Sequence, residues 1–390
     1  MASSLPEGGA SSPGVRVRGV GMTPFGSPAD RSLPELCEQA AERALADASI
    51  DPGTVTSLHV GTMAAGPFNG CFGLANALAG SLGLNEPETR RIENTSATGA
   101  STLLDAINTS RANSSGTALV VCGEKMSEAD TAASTELISR VAHPREYRHG
   151  VTLPALAGLV ADRYLREYGG TRRDLARVAV KNHANALSNR YAHFRKEIEV
   201  SDVVESPPVA EPLRLYDCCP RSDGAAAVVL SEGDDDVQIL ACESAGGTHA
   251  VGDRTNPLWI DGVHAAGKAA YEAAGLAPKA IDIACLHDAF TILEWLELEA
   301  LGFAERGGGW RLTRDGTTTV DGAFPVNPGG GLKARGHPLG ATGLSQVIEL
   351  VWQFRGDVPS ERAVDGRYGL ALSMAGFGNN AVCTIVGANQ

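Results

Sequence analysis

Seventeen residues, Asn327-Pro328-Gly329-Gly330-Gly331-Leu332-Lys333-Ala334-Arg335-Gly336-His337-Pro338-Leu339-Gly340-Ala341-Thr342-Gly343, hold six glycines and one imidazole directly before an apolar-periodic segment. Glycines let a backbone turn sharply and approach a ligand closely, and Pro338 fixes φ at an expected helix entrance. The pattern therefore predicts a site-bearing loop with His337 at the mouth of a helix. A Gly-rich connection with a satisfied histidine is the plain structural alternative.

A second stretch offers a hydroxyl. Ser96-Ala97-Thr98-Gly99 opens a segment in which Ala97, Ala100, Leu104 and Ile107 recur at helical spacing. Ser96 thus falls at the start of a buried helix, a place where backbone N–H groups stabilise negative charge. An alcohol does not ionise as a thiol does, so acyl chemistry at Ser96 requires a histidine as general base. Serine is also among the commonest helix N-caps, and a capping or substrate-positioning role remains the alternative. His287, in His287-Asp288-Ala289-Phe290 before another apolar helix, is the second candidate imidazole. Its alternative is a surface or capping histidine.

The elements that must position these groups alternate between strand and helix. Strands are expected at Val15–Val20, Val55–Val60, Thr117–Cys122 and Gly224–Leu230, with helices at Pro34–Ala48, Gly70–Leu82 and from Ser96 onward. From about 123 to 220 the pattern is more irregular and charged, with helices at Leu153–Tyr168 and Asp174–Leu187, and is expected to be an insertion. The acidic run 232–236 is expected to link two halves. The second half repeats the order: helix Gly262–Ala274, strand Ile281–Leu286, helix Asp288–Leu301, the glycine-rich loop, helix Leu339–Phe354, and strands Tyr368–Met374 and Ala381–Val386. Two similar α/β halves imply stacked sheets with helices between them. The expected division is a disordered leader at 1–14, a first half at 15–235 and a second half at 236–390.

Composition excludes several classes. The 390 residues carry 33 Lys+Arg against 46 Asp+Glu, a formal charge of −13, so no basic stripe tracks nucleic acid. Eight cysteines show neither C-x-x-C nor zinc-like Cys/His spacing, so no metal, cofactor or disulfide framework is expected. The start lacks a signal peptide, no run reaches the ~18 apolar residues of a membrane span, and a cytoplasmic protein is expected. Gly21-Met22-Thr23-Pro24-Phe25-Gly26 has Pro24 where a dinucleotide loop needs glycine, and no Gly-x-Ser-x-Gly elbow occurs. Cys218-Cys219 is read as packing, and the seven remaining histidines as solvated or satisfied.

Four segments together resemble the thiolase superfamily, in its sterol-carrier-protein-type and archaeal-type branch. They are Leu175–His183 with Asn185-Ala186, Glu211–Pro220 with Asp223–Ala227, His287–Phe290, and the loop around His337. The resemblance covers residue 15 to the end. It implies a five-layered αβαβα fold, a homodimer joined through the first half, and an acyl-CoA or acyl-carrier-protein thioester as substrate. It further implies His337 as base beside the nucleophile and His287 as an oxyanion or proton-handling group. Backbone N–H groups at Ser96 and at Gly376 or Gly378 would complete the oxyanion hole, with Gly330, Gly336 and Phe290 lining the substrate.

The chain departs from the family at the nucleophile, where Ser96 replaces a catalytic cysteine. It departs again near the C-terminus, where Ser373-Met374-Ala375-Gly376 lacks the second cysteine. Three functions stay open: a thiolase-like acyltransferase; an aldolase-type lyase acting on β-hydroxyacyl-CoA with a small OB-fold or zinc-ribbon partner; and a non-catalytic acyl-binding subunit.

Overall fold

The computed structural model describes residues 14–28, 30–113, 116–233 and 235–389. Apart from Gly14, the leader expected at 1–14 lies outside them. The first half runs β1 (Arg16–Met22), α1 (Leu33–Ala48), β2 (Val55–Gly61), α2 (Ala65–Asn69), α3 (Leu74–Ser81), β3 (Glu88–Ile92), α4 (Thr98–Asn113) and β4 (Thr117–Glu124). An excursion follows: α5 (Thr131–Ser139), α6 (Pro144–Tyr147), α7 (Leu153–Tyr168), α8 (Arg172–Ala186), α9 (Val200–Glu205) and the short pair β5 (Pro208–Ala210) and β6 (Leu213–Arg214). β7 (Gly224–Ser231) closes this half. The second half holds β8 (Val237–Gly246), α10 (Asp261–Ala274), β9 (Ile283–Cys285), α11 (Thr291–Ala300), α12 (Gly309–Arg314), α13 (Thr342–Arg355), β10 (Tyr368–Ala375) and β11 (Asn380–Ala388).

Local sequence explains the boundaries. Ser32 and Glu35 form a reciprocal capping box at the start of α1, as Thr171 and Asp174 do for α8. Gly275 ends α10 in the left-handed conformation. The helix expected at Gly70–Leu82 forms only over Leu74–Ser81, as α3; Gly70 and Gly73 both adopt positive φ and separate it from α2, which ends at Asn69.

The main sheet has the order β3-β2-β4-β7-β1-β8-β11-β10-β9. In the first half β3, β2 and β4 are parallel, while β7 runs antiparallel between β4 and β1. The second half repeats this plan. A one-residue bridge at Val326 stands in for the third strand beside β9, β9 is parallel to β10, and β11 runs antiparallel between β10 and β8. The two halves meet at the first strand of each, through Arg16–Gln238 and Val17–Val237. Stacked sheets were expected, and the hydrogen bonds here join them at one corner into a nine-stranded ladder.

Side-chain alternation still produces five layers. Leu119 and Val121 of β4 face α1 and α3, whereas Ala118, Val120 and Cys122 face a central layer of α4 and α13. Ala371 and Ala375 of β10 face that same central layer, and Leu370, Leu372 and Met374 face α10 and α11. The sequence is therefore α, β, α, β, α.

The central helices touch backbone to backbone. A Cβ on Gly99 would lie 2.7 Å from the Leu344 nitrogen, and one on Gly343 would lie 2.5 Å from the Ala100 nitrogen. Only glycine permits this approach, which brings the start of α4 and the start of α13 together.

Candidate active site

Ser96 sits two residues before α4. Thr95 adopts φ 44°, a sparsely occupied conformation for a β-branched residue, and its N–H is held by Glu93 Oε1 at 2.6 Å. Thr98, not Ser96, organises the turn: its hydroxyl donates to Thr95 O at 2.6 Å and accepts from Asn94 N at 2.9 Å. The Ser96 hydroxyl donates across the molecule to Met374 O at 2.8 Å. Ser96 is therefore not the N-cap of this helix. Its side chain is nearly buried, at 7 % exposure, and faces a cavity.

His337 lies five residues before α13, with Pro338 shaping the turn: Pro338 O accepts from both Ala341 N and Thr342 N at 3.0 Å. The Thr342 hydroxyl donates to Pro338 O at 2.9 Å, so toward His337 Nδ1, at 2.7 Å, it acts as acceptor. This assigns the proton to Nδ1 and leaves a lone pair on Nε2. The backbone N–H of His337 is held by Ser222 Oγ at 3.2 Å.

His287 follows β9 and carries the opposite tautomer. Its Nδ1 accepts from Met374 N at 3.4 Å, a long bond that places the proton on Nε2. Its own N–H donates to buried Glu297 at 2.8 Å. Burial lowers both imidazole pKa values, that of His287 to about 3 and that of His337 well below the ordinary range, helped there by His287, Lys333 and Arg335. Near neutrality the site thus holds one uncharged imidazole able to accept a proton and one able to donate a hydrogen bond.

Ser96, His287, His337, Phe290 and Gly376 line a single cavity of about 160 Å³. The Gly376 N–H makes no hydrogen bond among the described residues, so it is available to an oxyanion. Three expected site residues stand elsewhere. Gly378 spends its N–H on Ala375 O at 3.0 Å, which removes it from the oxyanion role. Gly330 and Gly336 are absent from the cavity wall: Gly330 packs against Ala186 and Asn182, and Gly336 against Ser222 and His193. Their close neighbours are protein atoms, and they give the loop its path.

Beneath that loop is a buried polar network. Asp288 accepts from Asn182 Nδ2 and Leu332 N, each at 2.7 Å, and from Lys333 N at 3.3 Å. Lys181 pairs with Glu294 at 2.9 Å and donates to Val326 O. On the other side, Glu124 accepts from Met63 N, Ala64 N and Gly340 N, and burial pushes its carboxyl up to about 7 against those donors. Gly331–Arg335 itself forms one π turn.

Thr342 and Ser222 touch the site without having been singled out in the sequence, Met374 was noted there only for the missing cysteine, and Cys218 and Cys219, read there as packing, form part of the cavity wall. Thr342 had a usable signal, a hydroxyl five residues after His337. The backbone groups of Met374 had none, because any residue type supplies them. Among the remaining histidines, His59 is buried against Asp105 and His193 bonds Ser222, both satisfied as expected.

Comparison with known proteins follows the same lines. The family models "Thiolase, N-terminal domain" and "Thiolase C-terminal domain-like" match residues 15–234 and 243–388. The chain is 38% identical to the acetyl-CoA acetyltransferase of Methanothermobacter thermautotrophicus over 379 residues, 95% of this chain and 98% of the relative. It is 32% identical to human sterol carrier protein 2, over 95% of this chain and 71% of that protein. Among solved structures, one described as "Ltp2-ChsH2(DUF35) aldolase" superposes with TM-score 0.83 at 25% identity, covering 97% of this chain and 98% of that one. Human mitochondrial 3-ketoacyl-CoA thiolase gives TM-score 0.76 at 17% identity, covering 97% and 99%, a likeness of fold.

Proposed function

The chain belongs to the thiolase family, and on that premise we propose that it is an acyltransferase acting on acyl-CoA or acyl-carrier thioesters. The observation that carries the reading is the pair of complementary tautomers, His337 with a free Nε2 lone pair and His287 with Nε2–H, facing one cavity with Ser96. The Ser96 hydroxyl swings from Met374 O toward His337, which takes its proton as Oγ attacks the thioester carbonyl. His287 Nε2–H and Gly376 N–H hold the oxyanion. The C–S bond breaks, the thiolate leaves with the proton from His337, and the acyl group rests on Ser96 until an acceptor removes it.

A second reading is favoured by one observation: the Ser96 proton points at a carbonyl, which cannot act as a base. In this reading Ser96 only positions the thioester. His337 removes the hydroxyl proton of a β-hydroxyacyl-CoA, the Cα–Cβ bond breaks, and the electron pair passes into an enolate held by His287. The described aldolase neighbour supports it, and a small OB-fold or zinc-ribbon partner belongs to this reading. A homodimer through the first half belongs to both.

Intact-protein mass spectrometry after incubation with acyl-CoA separates the readings. A stable acyl adduct lost in Ser96→Ala supports transfer. Cleavage of a β-hydroxyacyl-CoA without any adduct supports the lyase.

A further inference from the structure

The cavity that holds Ser96, His287 and His337 is larger and more apolar than a two-carbon acyl group needs. Its volume of about 160 Å³ has room for at least five water-sized or methylene-sized groups, at roughly 30 Å³ each. One wall is Met63, Met126, Ile138 and Leu339, a small apolar cluster of its own. The opposite wall is Leu153, Phe290 and Leu293, part of the second-half core.

The polar lining beyond the reacting groups is uncharged or already engaged. Thr135 and Ser139 are neutral, and burial keeps the thiols of Cys218 and Cys219 protonated. Arg221 is the single charged residue of the lining. Its Nη1 donates to Ala129 O at 3.0 Å, Asp130 O at 3.2 Å and Ser134 Oγ, and its Nη2 to Thr131 Oγ1 at 3.3 Å. That guanidinium fastens the start of α5, with both N–H groups of Nη1 and one of Nη2 turned to oxygens of this chain. A carboxylate in this cavity would give up its hydration for the donors that an anchored guanidinium has left.

Resting on the acyl-thioester reading of the same site, we propose that the physiological acyl group is an uncharged, apolar chain or ring of about six carbons, in preference to acetyl or to an ω-carboxyacyl group. Ile138 on α5 and Leu153 at the start of α7 set its length. Both come from the excursion between β4 and β7. Methionines at two positions of the wall give it tolerance for branching, since an unbranched thioether side chain adapts to irregular shapes.

The test uses unreactive ketone analogues in which a methylene separates the CoA sulfur from the carbonyl: acetonyl-CoA, 2-oxoheptyl-CoA and 5-carboxy-2-oxopentyl-CoA. Isothermal titration of the full chain reads the affinities. Each methylene fully buried is worth roughly fourfold in affinity, so 2-oxoheptyl-CoA, four methylenes longer, is expected to bind on the order of 10²-fold more tightly than acetonyl-CoA. The carboxylate analogue of equal length is expected to bind at least about tenfold more weakly than 2-oxoheptyl-CoA. Leu153→Trp should erase the advantage of the longer chain; if that variant misfolds, Ile138→Phe replaces it. Equal affinity for acetonyl-CoA and 2-oxoheptyl-CoA, or preference for the carboxylate, overturns the inference while leaving the acyl-thioester reading intact. Failure of all three analogues to bind overturns that reading itself.

Discussion

His287 and His337 meet edge to face, with ring centroids 5.1 Å apart and planes at 88°. Their outer nitrogens are held by different partners, Met374 N and Thr342 Oγ1, and this gives the two rings opposite tautomers in one cavity. The pair offers one proton acceptor and one hydrogen-bond donor without either ring carrying a charge. Four testable consequences come from the geometry around it.

Thr342 fixes the proton on His337 Nδ1. Thr342→Val should keep the volume but free the ring to take the other tautomer, lowering kcat by about 10–10² with little change in KM, within the range of a general-base contribution. Thr342→Ser should restore most of the rate. Steady-state kinetics on one thioester substrate checks both, and an unchanged kcat in the valine variant would remove Thr342 from the site.

Burial lowers the His287 pKa from its ordinary value near 6.5 to about 3. Above pH ~6.5 both folded and unfolded forms are neutral and the group contributes nothing to pH dependence. As pH falls toward 3 the unfolded chain takes up a proton that the folded one refuses, so stability falls by up to about 1.4 kcal/mol per pH unit. Glu124, whose pKa is raised, works in the opposite sense between its unfolded value and about 7. The clean measurement is therefore a difference: denaturant unfolding of the parent and of His287→Asn at pH 7 and pH 5. The parent should lose the more stability on acidification.

Ser96 bears the heaviest test. Ser96→Ala should abolish acyl adduct and transfer, and by stranding the Met374 carbonyl it should cost about 1–3 kcal/mol of stability. Ser96→Cys should load acyl groups faster, because a thiol ionises several pH units below an alcohol. Turnover of Ser96→Ala at the parental rate would exclude the covalent route and leave the lyase.

Asp288 locks the glycine-rich loop through three donors. Asp288→Ala strands those donors in the interior and should destabilise the chain by about 3–5 kcal/mol, read as a lowered Tm and denaturant midpoint. A loss below about 1 kcal/mol would show that the loop holds its path without this carboxylate.

Much of the fold was legible from alternation alone. Leu153–Tyr168 forms over the span that its periodicity predicts, and Tyr368–Ala375 differs from the expected strand by one residue. Besides the short pair β5 and β6, two strands of the main sheet escaped notice. Val237–Gly246 follows an acidic run and mixes polar and apolar residues because one end lies near the surface, and Glu88–Ile92 is an edge strand with Glu88, Arg90 and Arg91 exposed. Neither carries the apolar run that marks a buried strand.

The site was legible as residue types but not as partnerships. Ser96, His287, His337, Phe290 and Gly376 share a cavity, whereas Gly330, Gly336 and Gly378 do not line it. Glycine in a sequence signals backbone freedom without saying whether a ligand or another side chain uses the space. For Gly330 and Gly336 the close neighbours are protein atoms. No helix among the described residues is long and apolar enough to cross a membrane.

The matching strand orders of the two halves place α4 and α13 in corresponding positions, each between the third and fourth strands of its own half. Ser96 enters one and His337 enters the other. The two halves thus share one plan, with a hydroxyl at this address in the first and an imidazole in the second. In the covalent route the reacting groups come from both halves, so that chemistry would belong to the seam between them.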